Sequence, residues 1–182
     1  RRALAVFSKI TPAAQARLAA HNRKRFSVGM SEEEDLAFYD ELAQPPFGTW
    51  ICQARRCFIL DTIVAADTYL TLFKPKTVLD VGTGLGFGAE ILARRHPDIS
   101  FTGIDRSGAS IKFAQEKAAG LKNVRFIQGD LLAQGVDSRY DLLITLAGIP
   151  TGTTSITGQL VDMAISLLNP NGVLLGYAPS GL

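Results

Sequence analysis

From Pro75 onward the chain keeps to one grammar: short runs rich in β-branched and apolar residues, each followed by a stretch of helix-forming composition. The runs are residues 77–81, 99–105, 124–128, 141–146 and 173–177, and the helical stretches are 87–95, 109–119 and 156–168. Gly120 and Asn169-Pro170-Asn171-Gly172 read as stop signals. Strands that alternate with helices return in the same direction, so they pair in parallel through right-handed crossovers. The expected fold is α/β, a doubly wound, mostly parallel sheet with helices on both faces.

Ahead of that sheet, residues 11–72 carry a helical pattern. Pro12 suits a first helical turn, and Ser31-Glu32-Glu33-Glu34 has the form of a capping box. Pro45-Pro46-Phe47-Gly48 breaks the pattern; a further amphipathic segment, 51–73, carries Ile51, Phe58, Ile59, Ile63, Val64 and Leu70 and stops at Lys74-Pro75. The expected division is an N-terminal helical lid or substrate segment, 1–73, and a sheet core, 74–182. The aromatic residues Phe38, Tyr39, Phe47, Trp50 and Phe58 in the first part suit a small, partly aromatic molecule better than a polymer.

An apolar fraction of 47% with 20% charged residues over 182 positions is that of a globular domain with a modest accessory segment. No apolar run approaches the roughly 18 residues that a membrane helix needs. Cys52 and Cys57 have the spacing of neither a redox pair nor a zinc half-site, so a reducing, cytoplasmic setting is expected. The net charge of +2 hides an asymmetry, because Arg1, Arg2, Lys9, Arg17, Arg23, Lys24 and Arg25 all precede the first acid, Glu32. Such an arm can meet RNA, an acidic partner or a membrane surface, and it has the Arg-rich, acid-poor look of an organelle import signal. Its charges are not interleaved with stacking aromatics, which favours a solvated helix face. The chain starts without Met, and a processed or excised chain is expected.

The first βα turn carries the chemistry. Gly82, Gly84 and Gly86 sit where the chain must turn sharply and let a ligand approach the backbone. Asp80, inside the apolar run Thr77-Val78-Leu79-Asp80-Val81, is costly to bury unless a cation or several donors meet it. A ligand ammonium would do so, whereas a pyrophosphate would be repelled; the alternative is an acid capping the loop's own amides. Asp105, ending the second strand, can accept from both ribose hydroxyls or cap the following helix, which Ser107 can also do. Asp130, after Gly129 past the third strand, can accept from an adenine amino group or serve only as a turn residue.

Together these residues resemble the class I S-adenosylmethionine-dependent methyltransferases, over residues 76–177. Val78-Leu79-Asp80-Val81-Gly82-Thr83-Gly84-Leu85-Gly86 is similar to that family's cofactor motif, Asp105 to its ribose acid and Gly129-Asp130-Leu131 to its adenine segment. The resemblance implies a Rossmann-like core that binds S-adenosyl-L-methionine. It implies that Asp80 and the turn face the methionine part, Asp105 holds the ribose, Arg106 flanks the adenine, and Asp130 with the Leu131 amide reads the base edge. Thr145, Leu146, Ala147 and Gly148 would then lie nearest the transferred methyl.

Methyl transfer from a sulfonium needs alignment and exclusion of water, with a base only for hydroxyl or carbon acids. His21 is the one candidate base, although a surface position beside Asn22 and Arg23 suits it better; His96, after Arg94-Arg95, suits a helix-end cation. Ala147-Gly148-Ile149-Pro150 lacks the Asn-Pro-Pro-aromatic signature of nucleobase amino-methylating relatives, and no carboxylate or His set announces a metal-dependent enzyme. The family continues past the fifth strand with a helix and an antiparallel pair, whereas this chain stops at Leu182. A truncated core is expected, or a homodimer or partner chain that completes the sheet. Two rival readings remain. One is a nicotinamide-binding Rossmann oxidoreductase, through Gly84-Leu85-Gly86-Phe87-Gly88-Ala89; the other is a non-catalytic methyltransferase-like scaffold.

Overall fold

The structure, a computed structural model, describes residues 31–44, 60–131, 138–145 and 154–176, with the isolated positions 16 and 20. The basic arm, His21, the Pro45-Pro46 break, Trp50, Cys52, Cys57 and Leu146 to Pro150 lie outside the described residues. The elements in chain order are α1 (Glu32–Ala43), α2 (Leu60–Phe73), β1 (Thr77–Val81), α3 (Phe87–Arg95), β2 (Ser100–Asp105), α4 (Gly108–Lys117), β3 (Val124–Gln128), β4 (Tyr140–Thr145), α5 (Thr154–Ser166) and β5 (Leu168–Gly176).

The strands form one sheet in the order β3-β2-β1-β4-β5. Every neighbouring pair is parallel, so the described sheet is wholly parallel where a mostly parallel one was expected. The order reverses between β1 and β4, which opens a crevice at the carboxyl ends of those strands.

Alternating side chains place two apolar layers on the two sheet faces. On one, Val78, Phe101, Leu142 and Ile144 pack with Ile63, Ala66 and Leu70 of α2 and Leu92 and Ala93 of α3. On the other, Leu79, Ile104 and Leu143 pack with Leu131, and with Ala164 and Leu167 at the end of α5. Thus α2 shares the core of the sheet. Val64, expected on its apolar side, is 55% exposed, because the buried stripe follows the helical spacing of Ile63, Ala66 and Leu70 and leaves Val64 beside it. Among the described residues no helix is long and apolar enough to cross a membrane.

The helix signals work as chemistry requires. Ser31 Oγ accepts the Glu34 amide at 3.1 Å while Glu34 accepts the Ser31 amide at 3.1 Å, so the capping box is formed at the start of α1. At the end of α2, Lys74 takes a left-handed φ of 46° ahead of Pro75. The fifth strand departs from expectation: it begins at Leu168, ahead of the Asn169-Pro170-Asn171-Gly172 stop signal. Tyr140 pairs with Leu168 and Leu142 with Val173, so residues 169–172 form an excursion within the strand. Asn171 turns it with a φ of 67°, and Asn169 Nδ2 pins it by donating to Asp141 Oδ1 at 2.7 Å.

Candidate functional site

The turn after β1 is built on three left-handed glycines, Gly82, Gly84 and Gly86, with φ of 68°, 53° and 74°. The Gly82 and Thr83 amides donate to the Ile104 carbonyl at 2.9 and 3.0 Å, which lays the turn across the end of β2. Gly86 is the N-cap of α3. The glycines answer different needs. A Cβ on Gly82 would meet nothing within 4 Å among the described residues, whereas one on Gly86 would stand 2.7 Å from Ala114 Cβ and 2.8 Å from the Phe126 ring. The last glycine therefore serves helix-on-sheet packing.

Asp105 clasps this turn. Its Oδ2 accepts the Gly84 amide at 2.8 Å and its Oδ1 the Ser107 amide at 2.9 Å. Ser107 is the N-cap of α4, its Oγ accepting the Ser110 amide at 3.1 Å. The helix cap is thus Ser107 and not Asp105, whose carboxylate offers about four acceptor sites, of which the two amides use two. The Gly129 amide donates to the Asp105 carbonyl at 3.0 Å and brings the end of β3 alongside. Asp130 Oδ2 lies 3.9 Å from Arg106 Nη1, both groups partly open to solvent. The Leu131 side chain is buried in the core beneath.

Asp80 is 2% exposed. The Thr83 hydroxyl donates to its Oδ2 at 2.7 Å, while its buried Oδ1 has no partner among the described residues. Burial pushes its carboxyl up to about 7; the Thr83 hydroxyl opposes the effect, the charge of Asp105 adds to it, and the Ala89 amide, which faces the carboxyl without meeting hydrogen-bond geometry, opposes it weakly. An acid so placed keeps its proton to a far higher pH than an ordinary carboxyl, and a cation that reaches it favours the charged state.

Asp80, Gly82, Thr83, Gly84, Gly86, Asp105, Arg106, Gly129 and Asp130 thus gather at the carboxyl ends of β1, β2 and β3. Thr145 ends β4 on the opposite sheet face from Asp80; it is buried, and its Oγ1 also has no partner among the described residues. His21 lies outside the described residues. His96 is the C-cap of α3, where its Nε2 lies 2.8 Å from Asp67 Oδ1 of α2, at the other end of that helix from the turn. One residue beside the site went unremarked in the sequence: Asp40 of α1, whose Oδ1 accepts from Ser107 Oγ at 2.5 Å. No local pattern marks it, since its partner is 67 positions away.

A family model for a methyltransferase domain matches residues 72–180. The trans-aconitate 2-methyltransferase of Yersinia pestis (strain Pestoides F) is 31% identical over 114 residues, which are 63% of this chain and 42% of that protein. Among solved structures, a methyltransferase from Thiobacillus denitrificans in complex with S-adenosyl-L-homocysteine aligns with a TM-score of 0.51 at 28% identity, over 64% of this chain and 47% of that one. The ribosomal protein L11 methylase of Lactobacillus delbrueckii subsp. bulgaricus aligns with a TM-score of 0.51 at 30% identity, over 64% and 57% of the two chains. The chain therefore spans about half the length, or less, of the first two of these relatives. With its glycine turn at the reversal of a parallel sheet and a domain match over most of its length, the chain belongs to the Rossmann-like, class I family of methyltransferase domains.

Proposed function

We propose that this chain binds S-adenosyl-L-methionine in the crevice above β1 and transfers its methyl group to a small-molecule acceptor. The observation that carries the reading is the buried Asp80 carboxyl behind an open glycine turn, with one oxygen lacking a partner among the described residues. That vacancy fits the ammonium of a methionine moiety and opposes a pyrophosphate. A relative crystallised with S-adenosyl-L-homocysteine supports the same ligand class.

In this reading Asp80 meets the ammonium, and Gly82, Thr83, Gly84 and Gly86 line the methionine part. Asp105 offers its remaining acceptor sites to the ribose hydroxyls. Arg106 flanks the adenine, with Gly129, Asp130 and the Leu131 amide along the base edge. Thr145, at the carboxyl end of β4, is assigned to the methyl end, where its buried hydroxyl, without a partner among the described residues, can help to orient an acceptor. When bound, S-adenosylmethionine supplies an electrophilic methyl on a sulfonium, transferable by in-line displacement. The protein's share is to hold the two partners in line and to keep water out. Of the segment 1–73, α2 packs into the core of the sheet and so belongs with it, which leaves α1 as the described part of a lid on the substrate side. Trans-aconitate, in the name of one relative, supports a small acceptor, and the basic N-terminal arm keeps RNA as the rival to test.

Calorimetric titration of the chain with S-adenosylmethionine, S-adenosylhomocysteine and NAD tests the cofactor assignment. The first two are expected to bind and NAD not to. Binding of NAD alone would place the chain with the nicotinamide enzymes, and binding of S-adenosylmethionine without turnover of any acceptor would favour a scaffold.

A further inference from the structure

We propose that Asp40 is a positioning residue for the ribose end of the site, and that docking of α1 and occupancy of the site are one coupled equilibrium. The inference rests on the reading that Asp105 holds the nucleoside of the cofactor.

The coupling runs through named atoms. Asp40 Oδ1 accepts from Ser107 Oγ at 2.5 Å and faces the Ala109 amide at 3.4 Å, so it sits on the first turn of α4. Ser107 is fully buried and shares a 2.8 Å hydrogen bond with Ser110 Oγ. Its amide donates to Asp105 Oδ1, and the other oxygen of Asp105 holds Gly84. A continuous line, Asp40 to Ser107 to Asp105 to Gly84, thus joins α1 to the glycine turn. A parallel apolar contact joins the same bodies: Phe38, Tyr39 and Ala43 of α1 pack with Leu85 of the turn, Phe87 of α3, and Ala109 and Phe113 of α4.

The hydroxyl proton of Ser107 can serve one acceptor at a time. With Asp40 in place that proton is committed outward, the Ser107 lone pairs face the Ser110 amide, and the Ser107 amide is aimed at Asp105. Without Asp40 the hydroxyl turns, the cap loosens, and the orientation of the Asp105 carboxylate loosens with it. Coupling is reciprocal, so a ligand that tightens Asp105 must favour docked α1 by the same factor that docked α1 favours the ligand.

Two measurements on the whole chain test this. In calorimetric titration with S-adenosylhomocysteine, Asp40→Ala is expected to bind about 5- to 30-fold more weakly than the parent. Asp40→Asn, whose amide oxygen still accepts from Ser107, is expected to stay within about threefold, an estimate for a retained but uncharged acceptor. Native-state hydrogen exchange of the parent is expected to slow in α1 when S-adenosylhomocysteine binds. In Asp40→Ala that slowing is lost in α1 and kept in the glycine turn. A purely packing role would lower stability in the variant without moving this ligand-dependent protection. An Asp40→Ala variant that binds within twofold of the parent overturns the proposal, as does α1 exchange in the parent that ignores the ligand. A parent that binds no S-adenosylhomocysteine fails at the cofactor reading itself and takes the coupling with it. Should Asp40→Ala not fold, the parent exchange and the Asn variant decide.

Discussion

The Gly84 amide donates to Asp105 Oδ2 at 2.8 Å, so the acid that ends β2 is also the clasp of the turn that follows β1. The carboxylate proposed to hold the ribose is thus also a structural clasp, and substitutions there must be read both in ligand affinity and in local stability.

Asp105→Ala is expected to weaken S-adenosylhomocysteine binding by about 1.5 to 3 kcal/mol, the range for losing a hydrogen bond to a charged group. It should also lower the melting temperature, because the Gly84 and Ser107 amides lose their acceptor. Calorimetry and thermal melts on the same preparation check both. Unchanged affinity with a lowered melting temperature would leave Asp105 as a structural clasp alone.

Asp80 gives a pH signature. With its carboxyl near 7 in the ligand-free fold, a cationic ligand group binds the ionised form preferentially. Affinity for S-adenosylhomocysteine should rise about tenfold between pH 6 and pH 8 and then level off. Asp80→Asn should bind more weakly and show a flat profile over that window. Stability has the opposite sign: the folded value lies above the unfolded 3.8, so the folded state retains a proton that the unfolded state has lost. The contribution of Asp80 to stability therefore falls as pH rises from about 4 to about 7. Melts of parent and variant across this range should converge at low pH and separate above it, the variant gaining.

The glycines separate by cause. Gly82→Ala should cost about 1 to 2 kcal/mol for its left-handed backbone, with no clash against the described residues. Gly86→Ala carries the same backbone strain and also drives a methyl into Ala114 and Phe126, adding about 1 to 3 kcal/mol. Denaturant unfolding ranks them. Equal losses would mean that α4 yields to the added methyl.

Asp141 lies at the opposite end of the strands and accepts from the Lys76 and Thr77 amides, the Thr77 hydroxyl and Asn169 Nδ2. Asn169 and the two amides hold its carboxyl below the ordinary range despite partial burial. Asp141→Ala should cost about 1 to 3 kcal/mol with ligand affinity unchanged. The part of stability owed to Asp141 should be complete above about pH 4 and fade as the pH falls through its lowered value, a loss that parent and variant melts would show by converging in acid.

The sheet was legible because each strand and crossover is written locally. Thr77–Val81, Val124–Gln128 and Phe87–Arg95 are found at the bounds expected from composition. The fifth strand was not, because Asn169-Pro170-Asn171-Gly172 has the composition of a chain terminator, and only pairing with β4 and the Asp141 contact keep it inside a strand. Around the crevice, Asp80 and Asp105 could be singled out because an acid in or ending an apolar strand is conspicuous. Asp40 could not, since an acid on a helix is ordinary until the helix is docked, and docking is a long-range event.

Gly103 sits in mid-strand with an ordinary φ, yet a Cβ there would stand 2.6 Å from Phe126 Cδ1 and 2.8 Å from Thr83 Oγ1. The Phe126 ring thus occupies the volume that side chains at both Gly86 and Gly103 would need. Across natural variants of this fold, the residue at 103 should therefore trade against the sizes of residues 126 and 83 together, so that alanine at 103 needs a smaller residue at 126 and a shifted or smaller one at 83. The trade should spare Gly82, since among the described residues no atom lies within 4 Å of its Cβ position to compensate. Covariation would then sort the glycines of one motif into those answerable to the core and those answerable to the ligand.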